Sequence, residues 1–257
     1  MFNTTHLLYM LISGVISAGL LVLLRLLKRE RLNLILLRVL SVGTVVIHYS
    51  PLWVDFFTTG TAVATIEMLM PVYPCHICMW LLLIASFTVE KKGIAATVVR
   101  EFAFWGGTVC GIVGIVLNEN FAANPTLADY DVLKGLLSHS TMVAGCILLL
   151  VAGYIKLGVG RGLRAVLCGL GFFMADGLLI NGLLSAFELP PRNAMYLQQA
   201  PFAELPWINT ATIGLAALLV TFLANTIYEW IALSREQRWY VKIANGMRNL
   251  KHKGEKG

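Results

Sequence analysis

Charge is scarce in this chain, and that scarcity excludes a water-soluble fold. Asp, Glu, Lys and Arg make up 13% of the 257 residues, hydrophobic residues make up 58%, and the mean hydropathy is +0.75. Soluble domains carry about 25% charged residues, so the chain reads as a multi-pass membrane protein. Acidic residues are scarcer than basic ones, leaving a net charge of +6. That excess could suggest nucleic acid, but the placement of the basic residues argues for membrane topology instead. The marks of a signal peptide are missing too: no basic region leads the first hydrophobic run and no small-residue cleavage site follows it, so the run is expected to stay as a helix. No long polar loop contains a cysteine. The five cysteines lie on or beside hydrophobic segments, which excludes a secreted disulfide framework.

Seven segments are present that are long enough to span a bilayer, roughly 7 to 27, 32 to 52, 62 to 89, 102 to 118, 136 to 155, 165 to 187 and 208 to 231. The third contains Pro71 and Pro74, so residues 62 to 73 are expected to form an interfacial or re-entrant piece, with the continuous helix starting at Pro74. The expected fold is all-α: a polytopic membrane helix bundle of about seven transmembrane helices over residues 1–233, followed by a basic tail over 234–257.

Basic residues orient it. Arg25, Lys28, Arg29 and Arg31 fill the first connection, Lys91, Lys92 and Arg100 the third, and Lys156, Arg161 and Arg164 the fifth. The even connections hold Lys134 and Arg192 against Asp55, Glu119, Asp129, Asp131, Glu188 and Glu204. By the positive-inside rule the N-terminus is outside and the C-terminus cytoplasmic.

The chemistry is expected around Pro74-Cys75-His76-Ile77-Cys78. A proline suited to a helix's first turn precedes a cysteine whose thiol would sit near exposed N–H groups and the positive end of the helix dipole, which favours thiolate. Small buried apolar cysteines are the plain reading, and it stays open here. With this orientation His48 on the second segment, Asn118 on the fourth, His139 on the fifth and Asn181 on the sixth reach the same outer depth. Polar side chains inside a membrane normally face protein or a water-filled cavity, so a shared outward-opening pocket is the economical expectation.

Other marks are weaker. Asp176 lies at the middle of the sixth segment, where an ionised carboxylate is costly; it reads either as functional or as a protonated acid bonded to a neighbouring helix. Arg38 is expected to snorkel to the inner headgroups and Glu67 to reach the outer interface. Gly158-Val159-Gly160-Arg161-Gly162 reads as a flexible turn rather than a phosphate loop, because no strand precedes it. Cys110, Cys146 and Cys168 are expected to pack. The tail mixes Arg, Lys, Trp and Tyr as a segment lying on anionic lipid does, with nucleic acid disfavoured.

Taken together, Pro74-Cys75-His76-Ile77-Cys78, Glu101-Phe102-Ala103-Phe104-Trp105-Gly106, Ser138-His139, Asn193-Ala194-Met195-Tyr196-Leu197, Ala200-Pro201 and Pro206-Trp207 resemble the YwaF-like bacterial membrane proteins. They also resemble the animal transmembrane-protein-164 family, and the similarity spans roughly residues 32 to 230. The animal relatives are acyltransferases that remodel phospholipids, including ether lipids, through a cysteine and a histidine. The resemblance implies Cys75 as nucleophile and His139 as its histidine; His48, His76, Cys78, Asn118, Asp176, Asn181, Asn193 and Tyr196 are the candidates for supporting or substrate contacts. The typical bacterial pattern has a cysteine at the position of Cys78 and none at that of Cys75. This chain has both, so Cys78 reads as partner, substitute or packing. It also departs in Ala194, where an aromatic is usual, and in a longer stretch between Asn181 and Asn193.

The implied reaction is acyl transfer between phospholipid and lysolipid through a Cys75 thioester, at an outward-facing site in the plasma membrane, with no cofactor. His76 is too close along the chain to be an obvious base and is expected to orient the site, while His48 fits either role. Two rivals stand beside this. Pro-Cys-X-X-Cys at the outer start of a membrane helix is also what DsbB-like thiol oxidases use, although those carry a second cysteine pair in an outer loop. A transporter or receptor would instead line its route with Asp176 and Asn181. Cys75, Cys78, His48 and His139 are zinc-ligating types, but no single stretch supplies the paired spacing, so no metal is expected.

Overall fold

The computed structural model describes residues 3–61, 64–118, 120–121, 124–201 and 206–245. Glu119, Glu204 and the tail beyond residue 245, on which part of the topology and lipid reading rests, lie outside the described residues, as does the side chain of Glu67. Among the described residues the fold is all-α. Its helices are α1 (Thr4–Leu27), α2 (Glu30–His48), α3 (Ser50–Thr59), α4 (Ile66–Leu69), α5 (Pro74–Phe87), α6 (Ile94–Val116), α7 (Tyr130–Val151), α8 (Val159–Ala186) and α9 (Thr210–Ala232), with short 3-10 turns at Ala194–Tyr196 and Arg235–Gln237.

Six of these, α1, α2, α6, α7, α8 and α9, are long and apolar enough to cross a membrane. The chain is a multi-pass integral membrane protein. Helix α5 is apolar but only 14 residues long, about 21 Å against a hydrocarbon layer of ~30 Å. Ahead of it lies the segment that carries α4. It is tied to the later chain where Met195 N–H donates to the Val72 carbonyl at 2.8 Å, and Val72 is fully buried.

The bundle is built around α2, α5, α6 and α7, which pack on one another. Their shared core includes Leu37, Cys78, Leu82, Ala103, Met142, Cys146 and Leu149. Helix α8 packs on α6, α9 on α8, and α1 on α7. Close approach of α6 to α7 depends on a run of glycines. A β-carbon at Gly107 would overlap Cys146 Sγ, and one at Gly111 would lie 2.5 Å from Val143. Small residues at such spacing let membrane helices meet at backbone distance.

Several helices begin or end away from the boundaries that hydropathy suggests, each for a local reason. Helix α2 stops at His48 because Pro51, in the first turn of α3, cannot continue it. Helix α3 exposes Trp53, Phe56 and Phe57, aromatics of the kind that settle at a membrane interface. Helix α6 begins at Ile94, ahead of the expected 102, and takes in the buried Arg100, which bonds to backbone. Arg100 donates to the carbonyls of Thr88 (2.8 Å) and Lys91 (3.0 Å), and Glu101 lies 4.0 Å from Arg164. Helix α7 begins early at the Asp129 cap, whose carboxylate accepts from Val132 N–H.

The glycine-rich 158–162 stretch is a helix start rather than the expected flexible turn. Asn225 accepts from Gly158 N–H (2.7 Å) and Glu229 from Val159 N–H (2.8 Å), so α9 supplies the cap that the sequence around Gly158 lacks. The other oxygen of Glu229 accepts from Trp239 N–H at 2.7 Å, fastening the start of the tail. Arg38 lies over the Phe87 ring, 5.0 Å from its centroid.

Candidate functional site

Three helices bring imidazoles together at the end of the bundle opposite the basic connections. His48 is the last residue of α2, His76 stands in the first turn of α5, and His139 sits three turns into α7. The His48 and His76 ring centroids are 4.6 Å apart at 61°. His139 is close enough to act electrostatically on both, and Lys134, one turn before it, also acts on His48.

Each ring is held differently. His139 donates from Nδ1 to the Gly135 carbonyl at 2.7 Å. A carbonyl can only accept, so Nδ1 carries the proton and Nε2 keeps its lone pair. The ring lies against α6 at Gly114, where a β-carbon would overlap it. His76 lies within hydrogen-bonding reach of the Met70 carbonyl and edges against Tyr73, whose ring is 5.9 Å from that of Tyr196. His48 edges against Tyr49. Nε2 of His48 and Nδ1 of His76 are buried without a hydrogen-bond partner.

Cys75 is half-buried in the same first turn of α5, one residue before His76. No side chain caps that turn, and Pro74 occupies its first position. The helix start is therefore an electropositive backbone site of the kind that holds an anion. Cys78, one turn further on, points into the bundle. It is fully buried, contacts the Cys110 thiol, and lies close to Gly106. With Cys146 it forms a packed thiol cluster among α5, α6 and α7. Cys168, expected to pack, is exposed on the outside of the bundle.

The other expected site residues are spent on architecture or stand apart. Asn118 accepts from Phe121 N–H at 2.8 Å, turning the chain after α6. Asn181 makes a two-way bond with the backbone of Ala194, accepting from its N–H (3.1 Å) and donating to its carbonyl (3.3 Å). Asn193 accepts from Gln198 and Gln199 N–H and donates to the Gln199 carbonyl. Thr210 donates to the Tyr196 carbonyl at 2.6 Å. With the Met195–Val72 bond they seat the 193–199 turn on α8, the start of α9 and the segment before α5, and bring Tyr196 to Tyr73, which edges against His76. A cleft of about 350 Å³ at this end is lined by Asn181, Glu188, Arg192 and Gln198 among others, and includes neither Cys75 nor the histidines. Asn181 thus lines a cleft that the three histidines do not. Asp176 is half-buried with Oδ2 unpartnered. It lies five residues, about 7.5 Å, from Asn181 toward the basic end. Among the described residues no group of three or more His, Cys, Asp or Glu has an arrangement that could hold a metal ion.

Two contributors are not apparent from composition or depth. Gly114 gives His139 its seat, and its signal was the spacing Gly107, Gly111, Gly114 on one helix face. His6 is fully buried, bonds the Ile115 carbonyl at 2.8 Å and stacks on Phe121 at 4.5 Å, tying α1 to the end of α6.

No curated protein and no solved structure matches the chain. The model of the TMEM164 family matches residues 1–227, nearly nine-tenths of the sequence, and the chain belongs to the TMEM164 family.

Proposed function

We propose that this protein is a membrane-embedded acyltransferase that moves a fatty acyl chain between phospholipid and lysolipid through a thioester on Cys75. The observation that carries the reading is a half-buried cysteine in an uncapped helix start, beside a histidine cluster in which the Gly135 carbonyl leaves His139 Nε2 basic. The resemblance to the animal relatives points the same way. The orientation with this end outward and residence in the plasma membrane belong to the same proposal, and rest on the distribution of basic residues.

In the proposed cycle the Cys75 thiol gives its proton to His139 Nε2 and the sulfur attacks the ester carbonyl of a phospholipid. Backbone N–H groups at the start of α5 stabilise the oxyanion, a contribution worth ~3 kcal/mol per well-placed donor in other enzymes. The carbon–oxygen bond breaks, the lysolipid leaves with the proton, and the acyl chain remains on sulfur. A second lysolipid reverses these steps and takes the chain.

The rival thiol–disulfide reading needs both sulfurs accessible to a partner, and the full burial of Cys78 against Cys110 disfavours it. The transport reading retains the unpartnered Asp176 carboxylate. Intact-protein mass spectrometry on protein purified with native lipid, with Cys75→Ala beside it, separates the readings. A hydroxylamine-labile fatty-acyl adduct on the unmutated protein alone supports acyl transfer. A mass two units low that reductant restores, lost in either Cys75→Ala or Cys78→Ala, supports redox exchange instead.

A further inference from the structure

We propose that His48 and His76 form the subsite for the lysolipid hydroxyl, and that His48 is the group that handles the hydroxyl proton. The inference rests on the acyltransferase reading and assigns it a second, alcohol-side histidine distinct from the thiol-side His139.

Unpaired atoms mark this subsite. An unsatisfied buried polar atom costs about 1–3 kcal/mol, and most such atoms in folded proteins find partners. The asparagines around this end of the bundle obey that rule, since Asn118, Asn181 and Asn193 are all bonded to backbone. The His48–His76 pair does not. Nε2 of His48 and Nδ1 of His76 are both buried and unpartnered, on rings whose centroids are 4.6 Å apart, and His76 is only 8% exposed. The rings are firmly placed: His76 by Tyr73 and the Met70 carbonyl, His48 by Tyr49 and the end of α2. Because His76 gives its ring proton to the Met70 carbonyl, its Nδ1 keeps a lone pair, and together with His48 Nε2 on the neighbouring ring it offers acceptors that match the proton of a hydroxyl. The residue before His76 is the proposed nucleophile.

The chemistry needs such a group. In discharge of the thioester, the hydroxyl oxygen forms a bond to the acyl carbon and the carbon–sulfur bond breaks. The hydroxyl proton goes to His48 Nε2, and a proton reaches the departing Cys75 sulfur through His139, which neighbours both rings. Nothing is oxidised or reduced. Run backwards, the same path protonates the lysolipid leaving group when phospholipid acylates Cys75.

The two histidines are separated by choosing a donor whose leaving group departs without a proton. A p-nitrophenyl fatty-acyl ester acylates Cys75 with help only from the thiol side. The full-length protein in lipid nanodiscs is loaded with this ester and then given lysophospholipid, and the thioester is followed by intact mass. In His48→Gln, acylation is expected within about threefold of the unmutated protein, whereas discharge to lysophospholipid slows about 10²–10⁴-fold, so the thioester accumulates. A lysolipid analogue bearing a thiol in place of the hydroxyl, which supplies its own thiolate, is expected to restore discharge. In His139→Gln acylation itself is lost.

Discharge of His48→Gln at the unmutated rate would overturn the proposal. So would equal loss of acylation and discharge in a variant that keeps its thermal transition. If His48→Gln does not fold, His76→Asn is followed by the same two rates: slowed discharge with retained acylation supports the subsite, and unchanged discharge overturns it. An unmutated protein that forms no Cys75 adduct and exchanges no acyl chain defeats the underlying acyltransferase reading, a result distinct from any of these.

Discussion

The imidazole of His139 on α7 occupies the space that a side chain would need at Gly114 on α6, since a β-carbon there would overlap Cδ2 and Nε2 of the ring. The contact fixes the depth of the histidine, and the bond from Nδ1 to the Gly135 carbonyl fixes its rotation. Backbone on two helices thus sets the position of the proposed base.

Gly114→Ala should therefore act through His139. Alanine favours the helix by about 1 kcal/mol over glycine, so the variant should insert and keep its thermal transition, while displacement of the ring lowers acyl transfer at least about tenfold. Acyl exchange between phospholipid and lysophospholipid in nanodiscs, measured beside the melting curve, checks this. Unchanged exchange would mean that His139 is not held where it acts.

The two cysteines of the α5 start should part company. Cys75→Ala should abolish acyl transfer with little change in stability. Cys78→Ala removes a buried sulfur from the thiol cluster, at about 1 kcal/mol for a methyl-sized cavity, and should lower the melting temperature by about 2–4 °C while leaving most of the transfer. Equal loss of activity in the two variants would favour redox exchange.

Asn181→Ala strips the Ala194 N–H and carbonyl of their partners. Each unsatisfied group costs about 1–3 kcal/mol, so the 193–199 turn should loosen. Faster cleavage of that turn by added protease, together with a lower melting temperature, is the expected result.

Glu229→Ala removes one carboxylate from two jobs, the cap on Val159 at the start of α8 and the bond to Trp239 in the tail. Loss of a cap costs about 1 kcal/mol. Tail proteolysis should accelerate, and glutamine, keeping one acceptor oxygen, should restore part of the protection.

Acid should weaken the start of α7. Bonds from Val132 N–H and then the Asn124 side chain hold the Asp129 carboxyl below its ordinary range. A carboxyl lowered on folding adds stability that is fully present above its unfolded pKa, ~3.9, and is lost as the pH falls through the folded value. Melting temperature plotted against pH should drop below about pH 4. Asp129→Asn caps without titrating and should flatten the part of the drop that Asp129 contributes.

Much of the architecture was legible in composition and punctuation. The apolar runs announce the long helices, and Pro71 and Pro74 mark the break before α5, because proline ends one helix and opens another whatever surrounds it. Charge misled at helix ends. Arg100, expected in a connection, lies inside α6 and is paired with the carbonyls of Thr88 and Lys91, and Glu101 beside it lies 4.0 Å from Arg164 on α8, far along the chain. The cap on Val159 likewise comes from Glu229, seventy residues away.

For the candidate site the division is similar. Sequence alone determined that Cys75 opens a helix behind a proline, because proline acts through the local chain, and it led to the expectation that His48, Asn118, His139 and Asn181 share a depth, from rise per residue and the distribution of charge. Only the tertiary structure decided which of them meet. Depth fixes one coordinate, while rotation about each helix axis depends on packing: the glycine face of α6 turns His139 toward it, the 193–199 turn claims Asn181, and His48 is left against His76.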